Sequence, residues 1–240
     1  MSIPTIQDLS IVLTAPNHNP TLLNPDFLTG TGIIPTDWEL ARPPVISTQG
    51  SQIAFKNGVT FLAQPGAITF SQSFAEATPE TLDIPTIARK YATTLANLDY
   101  QAVSINPKQF VPFEHHPDGA RLYITDTLLA PGPWKQISEQ PMRASINLVY
   151  PLKGRELRVA IAEAQLQRSD DEPVGTVLFA GSFAYSIEGD SPAERLKKLQ
   201  AAIGNWQADL KTFQKLLSAK FKLGLALDAI ADDNPEAQAE

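Results

Sequence analysis

The sequence predicts an α+β protein in which antiparallel meander sheets are covered by helices. Three observations carry this reading. Apolar residues alternate with polar ones along several short runs, two-residue turn signals join those runs, and two longer runs show the three-to-four spacing of an amphipathic helix.

Residues 1–50 are rich in Pro, Asn and Thr, and Pro4, Pro16, Pro20, Pro25, Pro35, Pro43 and Pro44 oppose long regular elements. Their apolar runs are short, Ile11-Val12-Leu13 and Ile33-Ile34, so this part is expected to wrap over a core built elsewhere. Strand-like segments follow at 51–56, 59–64 and 67–73, where Ile53, Phe55, Phe61, Ile68 and Phe70 alternate with smaller or polar residues. Asn57-Gly58 is a type I′ hairpin signal and Pro65-Gly66 suits a type II turn. Asp83 then offers an N-cap with Pro85 in the first turn, and Ile84, Ile87, Ala88, Tyr91, Ala92, Leu95 and Leu98 mark one face of a helix over 84–98. Tyr100 to Ile105 reads as a strand stopped by Asn106-Pro107, since proline has no amide to donate. Residues 120–129 suit a short helix or a strand, the helix being preferred.

In the second half Ala144, Ile146, Leu148, Tyr150 and Leu152 alternate, and Lys153-Gly154 turns the chain. Leu157, Val159 and Ile161 return on a strand whose phase slips near Glu163-Ala164, which suggests a bulge. Beyond the polar loop 168–173 a third strand carries Val177, Phe179, Phe183, Tyr185 and Ile187. Three strands again lead into a helix, so an internal duplication of a βββα unit is expected, about 46–98 and 142–223. Ser191-Pro192-Ala193-Glu194 is a capping box that opens a long C-terminal helix. Leu196, Leu199, Ile203, Trp206, Leu210, Phe213 and Leu217 run down it as one stripe, which either lies on the sheet or forms an oligomerisation seam; Trp and Phe suit the first role. Gly224 suits a helix stop. The whole reads as one domain over 1–226, divisible into halves 1–110 and 111–226, with an acidic disordered tail at 227–240.

Composition narrows the function. With 43% hydrophobic and 19% charged residues the chain has an ordinary globular balance. It has no cysteine, which excludes disulfides, thiolate metal sites and cysteine nucleophiles. The N-terminus lacks a signal-peptide pattern and no apolar run approaches the length of a membrane span, so a cytoplasmic protein without membrane contact is expected. Of the net charge of −7, five negatives (Asp228, Asp232, Asp233, Glu236, Glu240) lie in the tail without a compensating Lys or Arg. The body is nearly neutral, and its basic residues cluster only along the last helix (Arg195, Lys197, Lys198, Lys211, Lys215, Lys220, Lys222), so no nucleic-acid partner is expected.

Candidates for chemistry are few. The sequence holds three histidines: His18 in Asn17-His18-Asn19-Pro20, and the pair in His115-His116-Pro117-Asp118. His115, His116 and Asp118 are the conceivable metal ligands, although adjacent residues rarely face one ion and no i, i+4 His pair exists. Solvated loops are the competing reading. Neither a nucleophile elbow nor a P-loop occurs, and the Asp170-Asp171-Glu172 and Asp232-Asp233 clusters suit solvated loops. The binding candidates are Asn17, His18, Asn19, Trp38, Trp134 and Trp206. Asn beside Pro makes tight turns that either pin an N-terminal arm or present a recognition loop, and Trp among turn formers either plugs a core or anchors a contact.

Asn17-His18-Asn19-Pro20, Leu23-Asn24-Pro25-Asp26-Phe27-Leu28, Asp37-Trp38-Glu39-Leu40, Phe55-Lys56-Asn57-Gly58-Val59 and Ile105-Asn106-Pro107-Lys108 resemble a family of uncharacterised bacterial proteins of cyanobacterial type. The likeness covers most of the chain except the tail and implies no activity or catalytic residue. The expectation is therefore a non-enzymatic protein-interaction, assembly or regulatory component without a cofactor, which binds a protein partner or self-associates. Two alternatives remain: a binder of a small apolar ligand gripped by residues such as Tyr150, Phe183 and Tyr185, and an enzyme of unrecognised type using the histidines.

Overall fold

A computed structural model describes residues 6–73, 82–114, 116–135, 137, 139–167 and 173–221. His115, the 168–172 loop, Gly224 and the acidic tail lie outside the described residues.

Nine antiparallel strands form one sheet: β1 (Ile6–Thr14), β2 (Val45–Ile46), β3 (Ser51–Ala54), β4 (Val59–Gln64), β5 (Ala67–Ser73), β6 (Ala102–Pro112), β7 (Ile146–Leu152), β8 (Arg155–Leu166) and β9 (Val174–Ser186). Their spatial order is β2-β3-β4-β5-β1-β6-β9-β8-β7. Two meanders, β3-β4-β5 and β7-β8-β9, thus flank a central pair. Each is followed in the chain by helix: α2 (Ile84–Thr94) after the first, and α4 (Pro192–Gly204) and α5 (Trp206–Lys220) after the second. The meanders do not pair with each other; β1 and β6 join them.

The period-two alternation fixes the register. Ile53, Phe61, Phe70, Ile11, Ile105, Phe183, Leu157 and Tyr150 stand opposite one another strand by strand, one apolar row across eight strands. All but Tyr150 are buried. Alternate residues such as Thr60, Ser71, Ser10 and Asn106 face the other way.

The turns follow their chemistry. Gly58, Gly66 and Gly154 take positive φ of 83°, 82° and 77°, and Asn57 Oδ1 accepts a hydrogen bond from the Val59 amide at 3.1 Å.

Several expectations need correction. The proline-rich N-terminal part does not merely wrap the core: β1 lies between β5 and β6, with Leu9, Ile11 and Leu13 fully buried. The predicted stop at Asn106-Pro107 is overridden, since β6 continues to Pro112. The ladder yields locally instead. Pairing of β6 with β9 runs from Ala102↔Ser186 to Ile105↔Phe183 and resumes at Lys108↔Ala180. Facing the gap, Gly181 has no side chain, and a Cβ there would lie 3.2 Å from Pro107 Cγ and 2.8 Å from the Phe213 ring of α5. No bulge forms near Glu163; β8–β9 register is continuous from Glu156↔Ala184 to Leu166↔Val174. The phase slip arises because residues 162–164 are half-buried on both faces.

The helix predicted over 84–98, α2, ends at Thr94, and the Asp83 side chain does not cap it. Its N-terminus is tied to the sheet by the Asp83 amide, which donates to Gln72 Oε1 at 2.9 Å. Residues 119–128 are helical, α3 (Gly119–Leu122) running into a π-turn over Tyr123–Leu128. The long C-terminal helix is present but bent, its two segments α4 and α5 meeting at Asn205. Gly204 is a weak helix former, and α2 reaches it here: Arg89 donates to the Gln200 carbonyl at 3.1 Å, and a Cβ at 204 would lie 2.4 Å from its guanidinium. Ser191 caps α4 as expected, but the return bond of the capping box goes one residue further back, to Asp190 rather than to Ser191. Ser191 Oγ accepts from the Glu194 amide at 3.2 Å, while the Glu194 carboxylate reaches the Asp190 amide at 3.2 Å. Leu199, Ile203, Leu210, Phe213 and Leu217 are buried in the core, so the stripe is spent on the sheet across the bend.

Candidate functional site

The Asn-Pro segment near the N-terminus is turn chemistry. Asn19 Oδ1 accepts from the Thr21 amide at 3.0 Å, Asn24 Oδ1 from the Phe27 amide at 2.8 Å at the start of α1 (Pro25–Gly30), and Asn17 Oδ1 from the Asp99 amide at 3.0 Å. His18 between them is buried, with Nε2 2.7 Å from the Tyr91 hydroxyl of α2. Burial lowers its pKa. The Gln64 main chain pulls the other way without reaching hydrogen-bond geometry at Nδ1, which is buried and unpartnered. His18 is thereby held as a neutral ring in the core. Trp38 packs edge-on against Phe55 at 5.2 Å, and Trp206 lies partly buried against the core at the start of α5. Trp134 differs: it is exposed in a 3₁₀ turn, Pro133–Lys135, with the Lys135 ammonium 5.8 Å from its ring, and Ile137 beside it in sequence is exposed too.

The aromatic residues between β8, β9 and α5 are held by charge. Asp209 of α5 is fully buried, accepts from the Tyr185 hydroxyl at 2.6 Å and pairs with Arg155 Nε at 2.9 Å. The Arg155 contact is an ion pair whose angles fall outside hydrogen-bond geometry. Arg155 also lies over the rings of Phe183 and Tyr185, at 5.7 and 5.9 Å. Desolvation raises the Asp209 pKa, against the lowering by Tyr185 and Arg155. Phe183 and Tyr185 are thus committed to an ionic clasp, which sequence reasoning missed because its members are far apart in the chain. Tyr150, on β7, is half-buried.

Among the described residues, two surface clefts stand near charged side chains. One, of about 450 Å³, lies between Gly32 and α2 and is lined by Thr86, Arg89, Lys90 and Thr93; Lys90 donates to the Gly32 carbonyl at 3.1 Å. The other, of about 430 Å³, is lined by one of the proposed metal residues, Asp118. Its wall is the turn from His116 to Asp118, fixed by Gly119 N–H donating to the His116 carbonyl at 2.9 Å and Phe113 N–H to the Gly175 carbonyl at 2.9 Å. Asp118, Arg121, Arg143, Glu163 and Gly175 line it. Asp118 pairs with Arg121 at 3.3 Å and Glu163 with Arg143 at 3.1 Å. His116 Nδ1 is buried without a partner. Among the described residues no three His, Asp or Glu side chains gather to hold a metal.

The sheet's two edges complete the survey. At one, β2 has two residues and follows Pro43-Pro44. At the other, β7 has seven residues and, among the described residues, pairs only with β8. The two-residue turn at Lys153-Gly154 makes Leu152↔Arg155 the closing hydrogen-bonded pair, so Ile146, Leu148, Tyr150 and Leu152 bond to β8. The main-chain groups of Asn147, Val149 and Pro151 therefore point away from the sheet. From Ala144 to Leu152 there is no charged residue. No helix of the described residues is long and apolar enough to cross a membrane. No protein-family model matches the chain, and no curated protein is significantly similar to it.

Proposed function

We propose that the protein is a non-enzymatic assembly component that works by adding a strand to its β7 edge, a second copy of the chain being the partner always at hand. The open β7 edge carries this reading. Exposed edges are ordinarily blunted by charge, bulges, proline or short length. Here Pro151 is the single such device, and it removes an outward amide while leaving the Asn147 and Val149 amides and three outward carbonyls available. Val149 is 55% exposed at the centre of the strand, and Ile146, Leu148, Tyr150 and Leu152 on the opposite face are only half-buried. A paired strand supplies main-chain hydrogen bonds worth about 0.5–1.5 kcal/mol each and covers this apolar surface. The exposed Trp134 and Ile137, in the segment that precedes β7, add contact surface of the kind that anchors interfaces.

Size-exclusion chromatography with light scattering over a concentration range tests the proposal. The expected result is a concentration-dependent oligomer that Val149→Lys converts to monomer, since a charge at the strand centre blocks pairing. A wild-type chain that is monomeric at every concentration and retains no protein from native lysate would sink it, as would an oligomer that Val149→Lys leaves intact.

A further inference from the structure

We infer that two copies of the chain join β7 to β7 about a two-fold axis through Val149, so that Val149 faces the partner's Val149 and Leu148 faces the partner's Tyr150. This rests on the edge-pairing reading above and fixes the symmetry and register of the pair. Identical chains that meet through one self-complementary patch do so about a two-fold axis, and a two-fold perpendicular to the sheet runs the two edge strands antiparallel. No charged residue stands between Ala144 and Leu152, so the strand meets a copy of itself without like-charge repulsion.

The outward main-chain groups narrow the register. In an antiparallel ladder two outward residues that stand opposite exchange their N–H···O bonds. β7 offers the amides of Asn147 and Val149 and the carbonyls of Asn147, Val149 and Pro151, because proline has no amide. An axis at Tyr150 or Pro151 sets Asn147 or Val149 opposite the partner's turn, and an axis at Asn147 carries Val149 past the start of the partner's strand. An axis at Val149 or at Leu148 uses the Asn147 and Val149 amides of both copies. Apolar overlap decides between these two. With the axis at Val149 the whole of Ile146–Leu152 is paired, Ile146 stands against the partner's Leu152, and Val149, 55% exposed in the single chain, is covered by its own copy. With the axis at Leu148, Pro151 and Leu152 run beyond the partner's strand and Val149 meets the partner's Asn147. The Val149 axis also makes Leu148 and the partner's Tyr150 a non-hydrogen-bonded pair, the kind in which side chains approach closest, with an aliphatic group against an aromatic ring.

The chain has no cysteine, so single substitutions report the register directly. Asn147→Cys, Leu148→Cys, Val149→Cys and Tyr150→Cys are each oxidised in a glutathione redox buffer, at a concentration where light scattering shows the wild-type assembly, and disulfide-linked dimer is read on a non-reducing gel. With the axis at Val149 the two copies of that residue lie about 5.5 Å apart at Cα, within disulfide reach, whereas Leu148 and Tyr150 lie about 8 Å from their own copies and Asn147 farther still. Val149→Cys should therefore give linked dimer at about threefold or more the yield of the other three. An equimolar mixture of Leu148→Cys and Tyr150→Cys should link better than either variant alone, since those residues face each other at about 4.5 Å. A yield that peaks at Asn147, Leu148 or Tyr150, equal yields at all four positions, or a mixture that links no better than its components overturns the register and leaves the edge reading in place. A wild-type chain that is monomeric at every concentration, or an assembly that Val149→Lys leaves intact, removes both.

Discussion

The two flanks of the sheet reach stability by different chemistry. On the β2–β5 side the core is an unbroken chain of rings: Trp38 to Phe55 to Phe61 to Phe70 to Tyr91, with successive centroids 5.2, 5.6, 5.1 and 5.3 Å apart and mostly edge-to-face. Its polar members, His18 and Tyr91, answer one another. On the β7–β9 side a shorter ring path, Phe113 to Tyr123 to Phe179 to Phe221, lies beside the Arg155–Asp209–Tyr185 clasp. One flank closes on itself and ends in a two-residue edge. The other holds a buried ion pair, a cleft lined by charged side chains and, among the described residues, a seven-residue edge. Buried unpartnered polar atoms occur on both sides, His18 Nδ1 and Ser51 Oγ on the first and His116 Nδ1 and Glu163 Oε1 on the second, so what sets the second side apart is its buried ion pair and its longer edge.

The largest test of this contrast removes a ring from the closed flank. Phe61 sits fully buried in the middle of the aromatic chain, so Phe61→Ala should cost about 4 kcal/mol through lost burial and the cavity left behind. Urea unfolding reads this, and a loss below about 2 kcal/mol would mean that the chain of rings collapses to fill the gap. On the open flank Asp209→Ala should cost about 3 kcal/mol, because it strands Arg155 and leaves the Tyr185 hydroxyl without an acceptor. Asp209→Asn keeps an acceptor and should cost clearly less. If the two substitutions at 209 were equal, the clasp would owe its strength to charge alone.

Acid separates the flanks further, with opposite signs. His18 has its pKa lowered from 6.5 by burial, so the unfolded chain binds the proton more readily; its contribution to stability is present above pH 6.5 and is lost as pH falls below it. Asp209 has its pKa raised from 3.8, so the folded chain binds the proton more readily; stability falls as pH rises through the window above 3.8. Asp8, also raised by burial, acts in the same direction as Asp209 in every variant. Between pH 4 and 6.5, His18→Gln should therefore flatten the rise of stability with pH and Asp209→Asn should steepen it, each by no more than about 1.4 kcal/mol per pH unit. Parallel unfolding curves for the two variants would erase the distinction.

What the sequence disclosed divides along the same line. Local signals were legible: Asn57-Gly58, Pro65-Gly66 and Lys153-Gly154 form the turns their chemistry demands, the alternation of Phe61 and Phe70 marks buried strand faces, and Ser191 caps α4. Non-local facts were not. Ile11-Val12-Leu13 looks like a short run among prolines, yet it is central because β5 and β6 pair on both sides of it. Pro107 reads as a stop, and only Gly181, seventy-four residues on, shows why it is tolerated. Nothing around Glu163 in the sequence reveals that its partner is Arg143 or that it shares a cleft with Asp118. His18 reads as exposed until Tyr91 is seen opposite it. Asp209 carries no signal at all, since a helical Asp between Ala208 and Leu210 is ordinarily solvated.

The smallest effect on folding gives the sharpest test of the edges. Ile46 on β2 and Val149 on β7 are both exposed apolar residues at the sheet's margins, so Ile46→Lys and Val149→Lys should each change unfolding stability by no more than about 0.5 kcal/mol. Their effects on association should part company. Lysine at 149 interrupts a strand long enough to pair, with outward main-chain groups on both sides of it, whereas lysine at 46 alters a two-residue edge already limited by Pro43-Pro44. Light scattering at matched concentration should therefore show monomer for Val149→Lys and wild-type mass for Ile46→Lys. If instead lysine at 46 dissociates the assembly, the short edge is the one that pairs, and strand length does not govern which margin of this sheet is used.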